Sequence, residues 1–384
     1  MNTFLDYIEW RGDIEFSYDG FNEVDNMLLS TLAYSDYENV IDADSAPLDL
    51  DTVRKRYFHF HTREEVGQRK PRSLTAPLLM DDLIQSKRFQ DLKIGYYVNH
   101  VSEDSVTQFS AMTMDFNDFV YIAFRGTDNS LTGWKEDLLL SFKSGIHAQV
   151  FAVDYLNRYM KDETRDIIVG GHSKGGNLAV YAAAFCEASI RDKIKIIYSN
   201  DGPGFLKEIT ESENYLSIKD RIYSIIPESS IVGLLLNNDI EHHVIKSYST
   251  GMHQHDPYSW LVYRNSFVRE ERISKSNAFL DKTLDDWLNN LSEEEKETFV
   301  AYLSEILTAS GEDSIEGIKA NKLKATGNMI KAGTSLSKEQ FASVSKIVGQ
   351  FISSGGSTLF ESLIHASNAQ KEKLLSLMKK DEVE

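Results

Sequence analysis

The spacing of apolar positions changes period along the chain, and the changes outline a fold. Between residues 22 and 37, Val24, Met27, Leu28, Leu32 and Ala33 recur at near-helical intervals, which predicts an N-terminal helix packed on the body of the protein. From residue 92 the period shortens. Residues 92–98 and 107–113 alternate apolar and aromatic side chains with smaller ones, as strands do. Residues 119–124, FVYIAF, form a nearly continuous apolar run, the pattern of a strand covered on both faces. Helical spacing returns over 148–160. Residues 167–170, 195–199, 221–226 and 243–248 read as further strands. Strands alternating with helices imply an α/β fold with a mainly parallel central sheet, parallel in its middle and flanked by helices.

Two stretches lack this alternation. Residues 41–77 are polar and mixed, with several charges and the two histidines His59 and His61, and read as a lid or an insertion. After residue 267 the sequence turns charged, helix-prone and proline-free. Residues 283–307 form one helical block with a cap at Ser292 ahead of Glu293-Glu294-Glu295. Farther on, Phe341, Val344, Ile347, Val348 and Phe351 line apolar faces suited to packing on the body, to a protein partner or to self-association. The expected division is a domain over 1–266 and a helical C-terminal region over 267–384.

Composition narrows the function. A hydrophobic fraction of 41% supports a sizeable core, while the formal net charge of −18 opposes nucleic-acid binding and simple docking on anionic lipid. The single cysteine, Cys186, has no internal partner and suits a reducing compartment. The N-terminus has neither the basic start nor the apolar core of a signal peptide, and no run is apolar enough to span a bilayer. A soluble cytoplasmic protein is expected. No glycine-rich nucleotide signature follows a predicted strand, and no cofactor or metal is expected.

The chemistry concentrates at Gly171-His172-Ser173-Lys174-Gly175, between the apolar run 167–170 and the small-residue helical run 176–184. Strand, G-x-S-x-G, helix is the pattern of a nucleophile elbow. Glycines on both sides let strand and helix approach, so that Ser173 is presented at the sheet edge with the Lys174 amide aimed at a developing oxyanion. A second donor is expected from Phe124-Arg125-Gly126-Thr127, where a buried strand ends in a tight loop: the Thr127 amide, with its hydroxyl as a further donor.

These motifs carry a family resemblance. Phe124-Arg125-Gly126-Thr127 ahead of Trp134, together with Gly171-His172-Ser173-Lys174-Gly175-Gly176, resembles the lipase class 3 group of α/β-hydrolases over about residues 92–262. With Asn22-Glu23-Val24-Asp25 and Ser199-Asn200-Asp201-Gly202-Pro203-Gly204-Phe205, the whole chain is similar to a bacterial branch of lipase-like proteins. An α/β-hydrolase fold and ester hydrolysis are what the resemblance implies.

His255, in a loop after the last predicted strand, is the candidate base, and the resemblance points to the same residue; His253, His242 and His243 compete. His172 is expected to bond locally. The acid stays open. The resemblance puts it after the strand that precedes the histidine, where Ser230 stands; Glu228 is nearby but out of register, and Asp201 follows the strand after the elbow helix. Asp201 is preferred, with Glu228 as the alternative. Lys174 departs from the apolar residue common after the serine; its ammonium is expected to lie in solvent, to favour an anionic substrate or to meet a carboxylate. Two functions follow: a serine ester hydrolase acting on small acyl esters or lipids, or an inactive hydrolase-fold protein that binds partners through its C-terminal helices.

Overall fold

The FVYIAF run forms strand β4 (Phe119–Phe124) in an eight-stranded sheet. The computed structural model describes residues 2–128, 130–140, 143–230, 232–237 and 239–271, with the isolated Asn321 and Asn328. The other strands are β1 (Leu48–Asp49), β2 (Lys93–Ser102), β3 (Thr107–Phe116), β5 (Asp166–His172), β6 (Ile194–Asn200), β7 (Ile222–Pro227) and β8 (His242–Ile245), and their spatial order follows the chain. Strands β4 to β8 are parallel, and β1 to β4 are antiparallel. The sheet is parallel in its middle, at β4 and β5, and from there to one edge, as expected. Tight turns suffice to join β2, β3 and β4, whereas parallel neighbours need crossover segments.

Alternation along β4 divides the core between the two faces of the sheet. Tyr121 and Ala123 join a cluster with α1 (Phe4–Arg11), α2 (Glu23–Leu32), α3 (Leu50–Phe60), α4 (Arg63–Gln68) and α5 (Leu79–Leu83). Val120, Ile122 and Phe124 join the other, with Leu140 at the end of α6 (Leu131–Leu140), α7 (His147–Tyr159) and α8 (Lys174–Phe185). Both faces of β4 are thus covered, which is why its sequence does not alternate in polarity.

Residues 41–77 are not a detached cover. They supply β1, α3 and α4, and Leu50, Val53, Tyr57 and Val66 are buried in the first cluster. Short helices that each bury one face leave most positions polar, and this hides the pattern in the sequence. Helix α2 differs in the other direction: all its residues are buried, not one stripe. Its polar groups are paired inside. Asp25 accepts from Arg88 at 2.8 and 2.5 Å, and Asn26 donates to Asn200 at 2.8 Å. Strand β8 ends at Ile245, earlier than expected, because the chain then pairs back through Ser247 with Trp260.

The chain divides into two compact units, Met1–Asp128 with Thr132–Asn290, and Asn129–Leu131 with Leu291–Glu384. The sheet belongs to the first. Phe267 pairs with Val262 and packs its ring edge-on to Trp260, with centroids 5.4 Å apart, so the chain remains in that unit past residue 266. The helical region expected beyond it lies, from residue 272 on, outside the described residues apart from the two asparagines. Among the described residues no helix is long and apolar enough to cross a membrane.

Candidate active site

Ser173 is the single residue between β5 and α8, and its backbone is left-handed, with φ 60° and ψ −135°. A non-glycine residue tolerates this only where its surroundings enforce it. The Ser173 amide donates to the Asn200 carbonyl and the Gly176 amide to the Ser173 carbonyl, both at 2.9 Å. The two motif glycines are steric necessities. A Cβ on Gly171 would strike the Gly175 backbone, and one on Gly175 would strike the Phe124 carbonyl oxygen. Ser173 itself is partly exposed, and among the described residues nothing hydrogen-bonds its hydroxyl.

Asp201 and His255 meet. His255 Nδ1 lies 2.6 Å from Asp201 Oδ2; Asp201 is 1% exposed, whereas the His255 side chain is 25% exposed. The aspartate follows β6 with φ 50°, and its amide donates to the Ile225 carbonyl at 2.7 Å. Its other oxygen accepts from the Gly233 amide at 3.1 Å and from the Ser230 hydroxyl. An ionised carboxylate only accepts, so Nδ1 carries a proton, and in the neutral form of the ring Nε2 is the nitrogen with the lone pair. No hydrogen bond reaches Nε2 among the described residues. Ser230, which stands where the resemblance expects an acid, braces Asp201 instead. Glu228 is not brought to the imidazole: its amide donates to the Ile245 carbonyl at 3.0 Å, and its carboxylate has no partner among the described residues.

The competing histidines are placed elsewhere. His242 Nδ1 is 2.9 Å from the Ser224 hydroxyl, and His243 stacks on Tyr223 with ring centroids 4.0 Å apart. His253 is exposed. Beside His255, Gln254 bonds Ser229 and Ser249, and the Asp256 carboxylate accepts from the Tyr258 amide. His172 does not bond locally in the chain; its ring partners lie 83 and 138 residues away. Its Nε2 is 2.8 Å from the His255 carbonyl oxygen and its Nδ1 is 2.7 Å from the Tyr34 hydroxyl. The carbonyl can only accept, so Nε2 is protonated and Nδ1 accepts from Tyr34. Burial, and then the neighbouring His255, hold the His172 pKa well below the ordinary 6.5, so the ring is neutral.

The loop after β4 lies against the elbow: a Cβ on Gly126 would come within 3.1 Å of Ser173 Cβ. Thr127 follows. Its hydroxyl is not free to donate to a substrate, because it donates to Asp137 at 2.6 and 2.7 Å from the two carboxylate oxygens. The amide remains the donor on offer. Burial raises the Asp137 pKa to about 6, with the Lys174 ammonium opposing the shift. Lys174 is not a solvated residue facing an anionic substrate. It is 1% exposed, its Nζ is 2.6 Å from Glu136 Oε2, and it donates to the carbonyl and side-chain oxygens of Gln108 at 2.9 Å. Its amide, at the first turn of α8, has no intrahelical acceptor. The sequence reading missed Glu136 and Tyr34, whose partners lie 38 and 138 residues away, and Asp137, whose partner Thr127 lies ten residues back across the loop after β4.

A profile of the Mbeg1-like family matches residues 83–305. Among solved structures, the chain is similar to the Rhizomucor miehei lipase propeptide complex at 20% identity, over 43% of this chain and 58% of that one, with a TM-score of 0.31. It is similar to the lipase from Rhizopus microsporus var. chinensis at 16% identity, over 51% and 72%, with a TM-score of 0.32. It is also similar to a mutant form of MDLA from Penicillium cyclopium at 13% identity, over 72% and 90%, with a TM-score of 0.36. These are distant likenesses, and the first spans 58% of its neighbour's length. No curated protein matches the sequence. With more than half of its length matched, from α5 through the whole parallel sheet and the elbow, the chain belongs to the Mbeg1-like family and has a lipase class 3-like α/β-hydrolase fold.

Proposed function

We propose that the protein is a serine ester hydrolase. The observation that carries the reading is the 2.6 Å contact of Asp201 with His255 at the carboxyl edge of the sheet that presents Ser173 on a strained turn. In the reaction, His255 Nε2 takes the proton of Ser173 as Oγ attacks the acyl carbonyl. Asp201 keeps the proton on Nδ1 and stabilises the imidazolium that forms. The Lys174 and Thr127 amides hold the oxyanion. The alcohol leaves with the proton from His255, and water then frees the acyl group. The Ser173 hydroxyl closes on Nε2 when substrate binds, since such contacts are often loose in the free enzyme. Carboxylic esters, including acyl lipids and lysophospholipids, are the substrate class. The acidic charge and single cysteine support a cytoplasmic enzyme rather than a secreted fat-digesting one.

A fluorophosphonate probe and p-nitrophenyl esters test the reading on wild type and Ser173→Ala. Labelling and turnover confined to the wild type are expected; equal labelling of both would defeat it. The second reading, an inactive hydrolase fold that binds partners, draws on the Ser173 hydroxyl having no hydrogen bond to His255 among the described residues.

A further inference from the structure

The Lys174–Glu136 ion pair has no part in the chemistry above, and both of its side chains are only 1% exposed. Two buried charges cost more in desolvation than well-packed apolar residues at the same places, so stability alone does not explain them. Their partners offer another reason. Lys174 is the residue whose amide faces the proposed oxyanion, and its Nζ is held by Glu136 Oε2 at 2.6 Å and by two oxygens of Gln108 at 2.9 Å. Glu136 Oε2 also accepts from the Gln108 amide at 3.1 Å, and Oε1 from the Ala148 amide at 3.2 Å. One ion pair thus ties the start of α8 to β3, α6 and the first turn of α7. The next residue of α6, Asp137, accepts from Thr127, the other donor residue. Consecutive carboxylates of one helix grip the side chains of both residues whose amides would bind the oxyanion.

We infer that Lys174 and Glu136 are positioning residues: through α6, their ion pair sets the separation of the Lys174 and Thr127 amides and so the fit to the tetrahedral intermediate. Neither charge touches substrate. This inference rests on the esterase reading. A lysine directly after the serine is then a device for rigidity, and it leaves the preference for substrate charge to other residues. Preorganised donors act only when aimed at the oxyanion rather than at the ground-state carbonyl, so the ion pair governs kcat more than KM.

The test compares wild type, Lys174→Met, Glu136→Gln and the double variant Lys174→Met/Glu136→Met, with Ser173→Ala as the background control. Steady-state hydrolysis of a p-nitrophenyl ester, inhibition by a trifluoromethyl ketone and thermal unfolding are measured on each. For Lys174→Met, kcat is expected to fall about 30-fold with KM changed less than about threefold, and the ketone is expected to bind weaker by a factor similar to the loss in kcat. The double variant leaves no orphan buried charge and should unfold at a higher temperature than either single variant. Its kcat should stay low. Recovery of kcat along with folding in the double variant, or wild-type kcat in Lys174→Met, would overturn the inference and leave the esterase reading standing. Turnover that does not depend on Ser173 in the wild type would overturn both.

Discussion

His172 Nε2 donates a hydrogen bond of 2.8 Å to the backbone carbonyl of His255, so the residue just before Ser173 holds the loop that carries the proposed base. The two rings lie 4.5 Å apart, centre to centre. Tyr34 fixes the arrangement from the other side by donating to Nδ1 at 2.7 Å. His172→Gln can keep a donor toward the carbonyl, whereas His172→Leu cannot. Ester hydrolysis should fall about a hundredfold in His172→Leu and stay within about tenfold of wild type in His172→Gln. Equal losses in both variants would remove the positioning role. Stability carries a second signature. Because the folded-state pKa is depressed, the contribution of His172 is present above pH 6.5 and fades as the pH falls below that value, since the unfolded chain then binds the extra proton. Denaturant unfolding between pH 7 and 5 should show a weaker pH dependence in His172→Gln than in wild type.

Asp201 is the carboxylate that the fold brings to His255, and Ser230 and the Gly233 amide occupy its other oxygen. Asp201→Asn can present an amide donor to Nδ1 and stabilise the wrong tautomer, which should lower kcat by ~10³–10⁴-fold. Glu228→Gln should change kcat by less than about threefold, since a partly exposed carboxylate with no contact to the imidazole adds little at a distance. Stopped assays on the two variants side by side check the assignment; a larger loss in Glu228→Gln would reverse it.

Asp137 offers a pH test on stability. Burial raises its pKa from 3.8 to about 6, so the folded protein binds more protons than the unfolded chain in that window. Its favourable contribution is therefore full below pH 3.8 and is lost as the pH rises through about 6. Asp137→Asn keeps the shape and cannot ionise. Relative to wild type, its melting temperature should improve from about pH 4 to about pH 6 and level off above about pH 7. A difference that does not vary with pH would show that Asp137 does not titrate there.

Much of the fold and part of the site could be read from the chain before any coordinates. The Gly171–Gly175 pattern is a local steric statement: a one-residue turn between a strand and a helix leaves no room for a Cβ at either flank, so the elbow was legible within five residues. The buried strand at 119–124 was legible because continuous apolarity follows from coverage on both faces. Residues 41–77 were not, since each short helix there buries only a few side chains and leaves the rest polar.

What remained open in the sequence were pairings between distant residues. Asp201 and Glu228 both follow strands of the parallel half, and nothing in their own neighbourhoods says which carboxylate meets an imidazole 54 residues beyond Asp201. The ends of β6 and β7 in the sheet, and the turn that lets the Gly233 amide and Ser230 reach Asp201, decide it. The same holds for Lys174. At a helix start a lysine ordinarily reaches water, and only the packing of α6 over β3 surrounds this one with Glu136 and Gln108. Local sterics and burial periodicity are written within a few residues of chain, but the environment of a charge is set by whatever the fold packs around it.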